Sequence, residues 1–347
     1  MPAQKKFTDN LSGMINYHAG YNLPEYPFIV PLTEDYVRSL DISLVKETVG
    51  KNLWEQLYNY PEYGVSLFYS TLGNDEVFGR ELALTYFVRL YFLSRKRFRL
   101  YNRTGIGLSY ITRKFDLNNN YLNVAVGSHL NAHFNFRIGG NYVLTKKISL
   151  NLGVSFNHLS SANTSEPNLG LNYMTGYGGV TYRLGEQTEK QTLAVPPHTK
   201  ENSFLLFASV GGKRSRSLAS QYFLTSSLSL EFNRALTRKF RFGLGGDLFF
   251  DNSVRVGMEK KEEEYKPSDR FQTGIHASVA LVYGKLSLSI QQGIYLLLLE
   301  KVGEYPLYNR GTIQYQVNPH LALRLAMKSH FNVLDFPEVG VGYTFKR

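Results

Sequence analysis

Two residues whose side chains could share a proton, His158 and Ser160, sit two positions apart at the end of the greasy face of the stretch 148–160. A serine hydroxyl becomes a nucleophile when a base within hydrogen-bond reach takes its proton, and a histidine base needs a third group to hold its tautomer. Asn172 can be that third group, since it shares an alternation face with Met174, Val180, Tyr182 and Leu184 on the next stretch. A carboxylate alternative, Glu166, lies in the polar loop between them. On spacing alone two readings stand. One is acyl-transfer chemistry; the other is a network of polar side chains at a strand end.

What must position these residues is a β-strand. Ile148, Leu150, Leu152, Val154 and Phe156 fall on one face, and Ser149, Asn151, Gly153, Ser155 and Asn157 on the other, the period-2 pattern of a strand between an apolar and a polar medium. Similar segments recur along the chain: eight, a break at 185–202 that holds Pro196-Pro197, and eight more. Proline without its N–H cannot sit inside such a ladder, so the break is a linker. With 25 Tyr, 23 Phe and 30 Gly against a single Trp and no Cys, the composition suits alternating strands. No run reaches the ~18 apolar residues of a spanning helix, whereas a spanning strand needs only ~9–11 residues, apolar at alternate positions.

Connections alternate in length. Short turns such as Ser94-Arg95-Lys96-Arg97 and Thr145-Lys146-Lys147 contrast with long polar loops at 113–128, 160–170 and 252–269, the asymmetry of an outer-membrane barrel with short periplasmic turns. By this parity the loop after Ser160 is extracellular and His158, Ser160 and Asn172 face outward at the rim. The connection 47–62 around Trp54 is too long for its side and reads as an insert or plug. The expected fold is therefore all-β, a transmembrane antiparallel barrel of about sixteen strands. Residues 1–184 form the half that carries the site, 185–202 a linker, and 203–347 a second half completing the barrel. Two tandem eight-stranded barrels are the alternative.

A net charge of +11 raises the question of nucleic acid, but the basic residues are scattered or confined to turns, without a stripe or a stacking platform, so none is expected. Absence of cysteine removes disulfides and thiolate metal sites and suits an exported protein. The start MPAQKK lacks the apolar core of a signal peptide, and Pro2-Ala3-Gln4 is read as the remnant of a removed signal. Gly105-Ile106-Gly107 and Gly243-Leu244-Gly245-Gly246 precede no helix and are wall glycines, not phosphate loops. The acidic run Glu262–Glu264 reads as a solvated loop, and His129 and His133, four apart on a strand, define no metal site. In 318–345, which looks like a shortened copy of 146–184, His330 shares the inner face with His320, Arg324 and Lys328.

The series His158-Leu159-Ser160, Pro167-Asn168, Gly170-Leu171-Asn172 resembles the active-site signature of the PagL-type lipid A 3-O-deacylases, outer-membrane β-barrels also called acyloxyacyl hydrolases. Weaker echoes lie at Trp54, Pro61-Glu62-Tyr63-Gly64 and Val126-Gly127-Ser128-His129-Leu130-Asn131. The resemblance implies a nucleophile at Ser160, a general base at His158 and the acid's position at Asn172. Ser161 stands where the family has an asparagine that contributes near the oxyanion, which makes its backbone or side chain the candidate oxyanion donor. It also implies an esterase that removes a 3-hydroxyacyl chain from lipid A, in lipopolysaccharide of the Gram-negative outer membrane, without metal or cofactor. Lys213, Arg214 and Arg216 are then candidates for the lipid A phosphates. Asparagine in place of the acid departs from the family pattern, because an amide can orient the ring but cannot offset its charge. The rival functions are a passive pore through a sixteen-strand lumen and an inactive structural or interaction barrel.

Overall fold

The computed structural model describes residues 6–162, 164–214, 221–260, 262, 264–296, 306–330 and 333–346. Pro2-Ala3-Gln4, Arg216, Glu263 and the end of the strand-like stretch 285–299 lie outside the described residues. The first eight strands are β1 (Leu11–Asn22), β2 (Val37–Glu47), β3 (Glu62–Thr71), β4 (Arg80–Ser94), β5 (Phe98–Ile111), β6 (Leu130–Val143), β7 (Ile148–Ser160) and β8 (Leu171–Arg183). Each pairs antiparallel with the next, and β8 returns to β1 in a register running from Ser12 opposite Arg183 to Asn22 opposite Tyr173. The second eight are β9 (Asn202–Arg214), β10 (Tyr222–Ala235), β11 (Phe240–Asp251), β12 (Phe271–Tyr283), β13 (Leu286–Tyr295), β14 (Leu307–Gln316), β15 (Leu321–His330) and β16 (Val333–Lys346). They close in the same way, with Val339 of β16 opposite Val210 of β9.

The sixteen strands therefore form two closed eight-strand barrels, the tandem arrangement, rather than one barrel of sixteen. Side-chain size supplies the reason. An eight-strand barrel has an interior that side chains can fill, whereas sixteen strands leave an aqueous channel. The inward positions here carry Arg89, Arg103, Arg137, Tyr101 and Phe68, all fully buried. Asp41 accepts from Arg103 Nη1 at 2.9 Å, and also from Arg137 and from the hydroxyl of Ser66. Glu81 takes His133 Nδ1 at 2.6 Å and the Tyr173 hydroxyl at 2.7 Å. In the second barrel His276 lies between Asp247 and Glu231, at 2.6 and 2.8 Å. Buried charges persist only when paired, and these pairs span distances that an eight-strand lumen permits. A passive pore through one wide lumen loses its premise.

The outer surface is the inverse. Leu152 is 73% exposed and Ile290 71%, while Arg103 and Arg137 of the interior are each 1% exposed. Apolar outside and ionic inside is the pattern of a barrel wall in lipid. No described helix is long and apolar enough to cross a membrane.

Two features frame the first barrel. At the end with long loops, Ile29, Phe68, Leu72, Phe78, Val126 and Leu159 belong to one apolar cluster beneath the loops. At the other end, the over-long connection between β2 and β3 contains a short helix, α1 (Leu53–Leu57). It receives the chain that leaves β8: Gln191 N donates to Val49 O at 2.7 Å, Leu193 N to Gln56 Oε1 at 3.0 Å, and the Tyr60 hydroxyl to Gln191 O at 3.1 Å. Gly50 is needed there, at φ 84°, because a Cβ would come within 2.3 Å of Gln191 O. The insert read from sequence is thus a dock for residues 191–193. In the second barrel His330 faces inward, with its Nε2 2.9 Å from the Tyr295 hydroxyl.

Separate closure predicts separate folding. A chain ending at Ala194, the limit of the first compact unit, is expected to refold in detergent into a β-rich species whose gel mobility changes on heating. Aggregation without such a species would show that the first eight strands need the second eight.

Candidate functional site

The site lies on the outer face of β7 and β8, at the end with long loops. Alternation places Leu150, Leu152 and Val154 outward and Asn151, Ser155 and Asn157 inward, so His158 and Ser160 continue the outward row. Antiparallel register puts His158 directly opposite Asn172. A pair facing each other across a ladder brings side chains within bonding distance without any loop contribution. Asn172 Oδ1 lies 2.7 Å from His158 Nδ1, and Ser160 Oγ lies 3.1 Å from His158 Nε2. Hydroxyl, imidazole and amide are thereby in series, at the distances that proton transfer from a serine requires.

The loop 161–170 is tied to the neighbouring loop. Gly170 N donates to Ala125 O at 2.9 Å, and the Ser165 hydroxyl to Gly127 O at 3.1 Å. Gly127 has no room for a side chain, since a Cβ would lie 2.5 Å from Glu166 O. Gly170 has φ 76°, and a Cβ there would lie 2.9 Å from His158 Cε1, so this glycine both turns the chain into β8 and leaves space for the imidazole. The motif Pro167-Asn168 braces the same loop, because Asn168 Oδ1 accepts Ser161 N–H at 2.7 Å.

Several expected residues fall elsewhere. Ser161 is buried, its N–H donates to Asn168 and its hydroxyl donates to Ser165 O at 2.9 Å; both donors are committed, which corrects its reading as an oxyanion donor. The Nδ1 position of His158 is taken by Asn172 and not by Glu166. Lys213 is not a rim cation: it points into the second barrel, with Nζ 2.6 Å from Asp335 and 2.9 Å from Asp251. Alternation along β9 sets it on the inner face, and buried carboxylates hold it there. Arg214 pairs through its backbone with Tyr222 at the end of β9, and Arg216 lies outside the described residues.

One residue at the site carries no local signal in the sequence. Asn172 Nδ2 donates to Glu25 Oε1 at 2.6 Å. Glu25 is in the loop between β1 and β2, 147 positions away in sequence. Only the closure of β8 on β1 brings it near, so no local spacing could have marked it.

Two family models match the chain that carries this geometry. Residues 39–181 match the model for lipid A 3-O-deacylase (PagL), and residues 202–347 match that for the acyloxyacyl hydrolase C-terminal domain. The chain belongs to the PagL family of lipid A 3-O-deacylases. The two matched ranges fall on the two barrels. PagL-family membership makes it an outer-membrane β-barrel of an ester hydrolase family whose substrate is lipid A. Among solved structures, Neisserial surface protein A is similar at 12% identity over 51% of this chain and 98% of its own, with a TM-score of 0.37. The siderophore receptor PirA from Pseudomonas aeruginosa is similar at 9% identity over 99% of this chain and 82% of its own, with a TM-score of 0.24. The Acinetobacter baumannii outer-membrane protein Omp33 follows at 10% identity over 97% and 98%, with a TM-score of 0.17. No curated protein matches.

The space left by Gly170 gives a prediction. Gly170→Ala is expected to displace the imidazole and to lower lipid A deacylation on the order of 100-fold, while heat-dependent gel mobility shows the barrel intact. Unchanged deacylation by this variant would mean that the ring position is irrelevant to activity.

Proposed function

We propose that this protein removes the ester-linked 3-hydroxyacyl chain at the 3-O position of lipid A by a serine–histidine mechanism, with Ser160 as nucleophile and His158 as general base. The observation that carries the reading is the series of contacts from Ser160 Oγ through the two ring nitrogens of His158 to Asn172 Oδ1, 3.1 and 2.7 Å, on the lipid-facing wall. A polar triad on that face is costly unless it has a use. Lipid A offers one, because its ester carbonyls lie where the barrel rim meets the headgroups. The long-loop end would then sit in the extracellular leaflet.

In the first half-reaction Ser160 Oγ attacks the ester carbonyl carbon and its proton passes to His158 Nε2. The tetrahedral intermediate collapses, the sugar 3-oxygen leaves with that proton, and the acyl chain remains as an ester of Ser160. In the second half, water attacks the acyl carbonyl and gives its proton to His158. Collapse releases the 3-hydroxy fatty acid, and the proton returns to Ser160. Asn172 accepts the Nδ1–H throughout, which keeps the Nε2 lone pair on the serine side. Charge on the intermediate's oxygen needs a donor other than Ser161; Asn168, held through its Oδ1, has two amide hydrogens available for it. Reaction at the wall needs no opening of the lumen, so the filled interior of the first barrel is no obstacle.

Mass spectrometry of lipid A in mixed micelles with the purified protein tests this. Wild-type protein is expected to remove one 3-hydroxyacyl mass, and Ser160→Ala and His158→Ala to lower the rate on the order of 10⁴-fold or more. Undiminished cleavage by Ser160→Ala would refute the serine mechanism; intact lipid A with the wild type would leave an inactive barrel as the better reading.

A further inference from the structure

The residue at the family's acid position is an amide, yet the site does not lack a carboxylate. We propose that Glu25 is a positioning residue that acts through Asn172, so that Glu25 and Asn172 together do the work of a single triad acid; this rests on the serine–histidine reading above.

Donor and acceptor chemistry dictates how the groups are turned. An ionised carboxylate only accepts hydrogen bonds, so the Asn172 atom 2.6 Å from Glu25 Oε1 must be the NH2 group,. That fixes the amide, and its carbonyl oxygen is therefore the atom 2.7 Å from His158 Nδ1. A carbonyl also only accepts, so Nδ1 must carry the ring proton. The remaining nitrogen, Nε2, then presents its lone pair to Ser160 Oγ at 3.1 Å. Without the carboxylate the amide could turn over, offer its NH2 to Nδ1 and select the opposite tautomer, in which Nε2 bears the proton and cannot act as a base. The carboxylate also polarises the amide, because hydrogen bonds in a chain strengthen one another. In the proposed reading a negative charge thus reaches the imidazolium through one intervening group.

Glu25 is exposed, and the chain on either side of it is anchored. Leu23 N–H donates to Asn172 O at 2.7 Å, which extends the β1–β8 ladder to the threshold of the loop. The Asn22 side chain donates to Leu72 O at 2.8 Å. Beyond Glu25 the loop is anchored by Ile29, 3% exposed within the apolar cluster, with Tyr26 packed against it. Glu25 itself stands outside the residues that match the deacylase family model, 39–181. In this proposal the carboxylate stands on a loop across the barrel seam instead of on the strand beside the histidine.

An isosteric exchange tests the pairing. Glu25→Gln removes the charge and the strict preference for one amide orientation, and is expected to lower kcat about 10-fold with KM unchanged, because in this proposal residue 25 acts through Asn172. Asn172→Asp places two carboxylates against each other at that contact and is expected to lower kcat as well. The double variant Glu25→Gln/Asn172→Asp puts the acid beside His158 and the amide at position 25, and is expected to recover kcat to within about 3-fold of wild type, a reversal of sign that independent effects cannot produce. Heat-dependent gel mobility of each variant reports folding. If Glu25→Gln leaves kcat unchanged, or the double variant is poorer than both single ones, Glu25 is no positioning residue. Ser160→Ala run alongside separates the two levels: loss of activity there with no effect at Glu25 overturns this proposal alone, whereas retained activity in Ser160→Ala overturns the mechanism beneath it.

Discussion

Every backbone N–H and C=O of a strand in lipid must be bonded to another strand, so a sheet that crosses a membrane has to close on itself. The rest of this structure depends on that constraint. It forces β8 back onto β1 and β16 back onto β9, and it turns the usual distribution of residues inside out. Arginines and carboxylates pair in the narrow lumens, and leucines, isoleucines and tyrosines cover the walls. Closure also makes the site. The loop that begins after β1 meets the first residues of β8 only because those two strands, first and last in their sheet, are neighbours.

Much of this was legible in the sequence because period-2 alternation is a local signal. The outward row of β7, the inward His330 and the long and short ends each follow from a few adjacent residues. The number of barrels was not, because alternation states which medium each face meets and is silent on which edge a strand will pair with. The bulk of the inward residues was the available clue: arginine repeated at positions 89, 103 and 137 fits a lumen that side chains can fill. Lys213 shows the same limit from the other side. Its place beside Arg214 suggested a basic loop, but its parity on β9 sends it inward to Asp335 and Asp251.

At the site, the juxtaposition of His158, Ser160 and Asn172 was readable because they lie on paired strands that follow one another in the chain. Glu25 was not, since its partner is set by the seam of the barrel. Ser161 was misread for a smaller reason: hydrogen-bond donors near a nucleophile serve an oxyanion only if the loop does not use them first, and here Asn168 and Ser165 do. In the proposed reading the triad is thus assembled from two kinds of order. Strand register sets the serine, the ring and the amide, and barrel closure adds the carboxylate.

Activation of Ser160 by His158 for attack on an acyl group is the step on which the proposed mechanism turns. Labelling with a fluorophosphonate, followed by peptide mass spectrometry, tests it most directly. A single phosphonylated peptide carrying Ser160 is predicted in the folded wild-type protein, with its loss in His158→Ala. Equal labelling of Ser160 without the histidine, or labelling at another serine only, would contradict it.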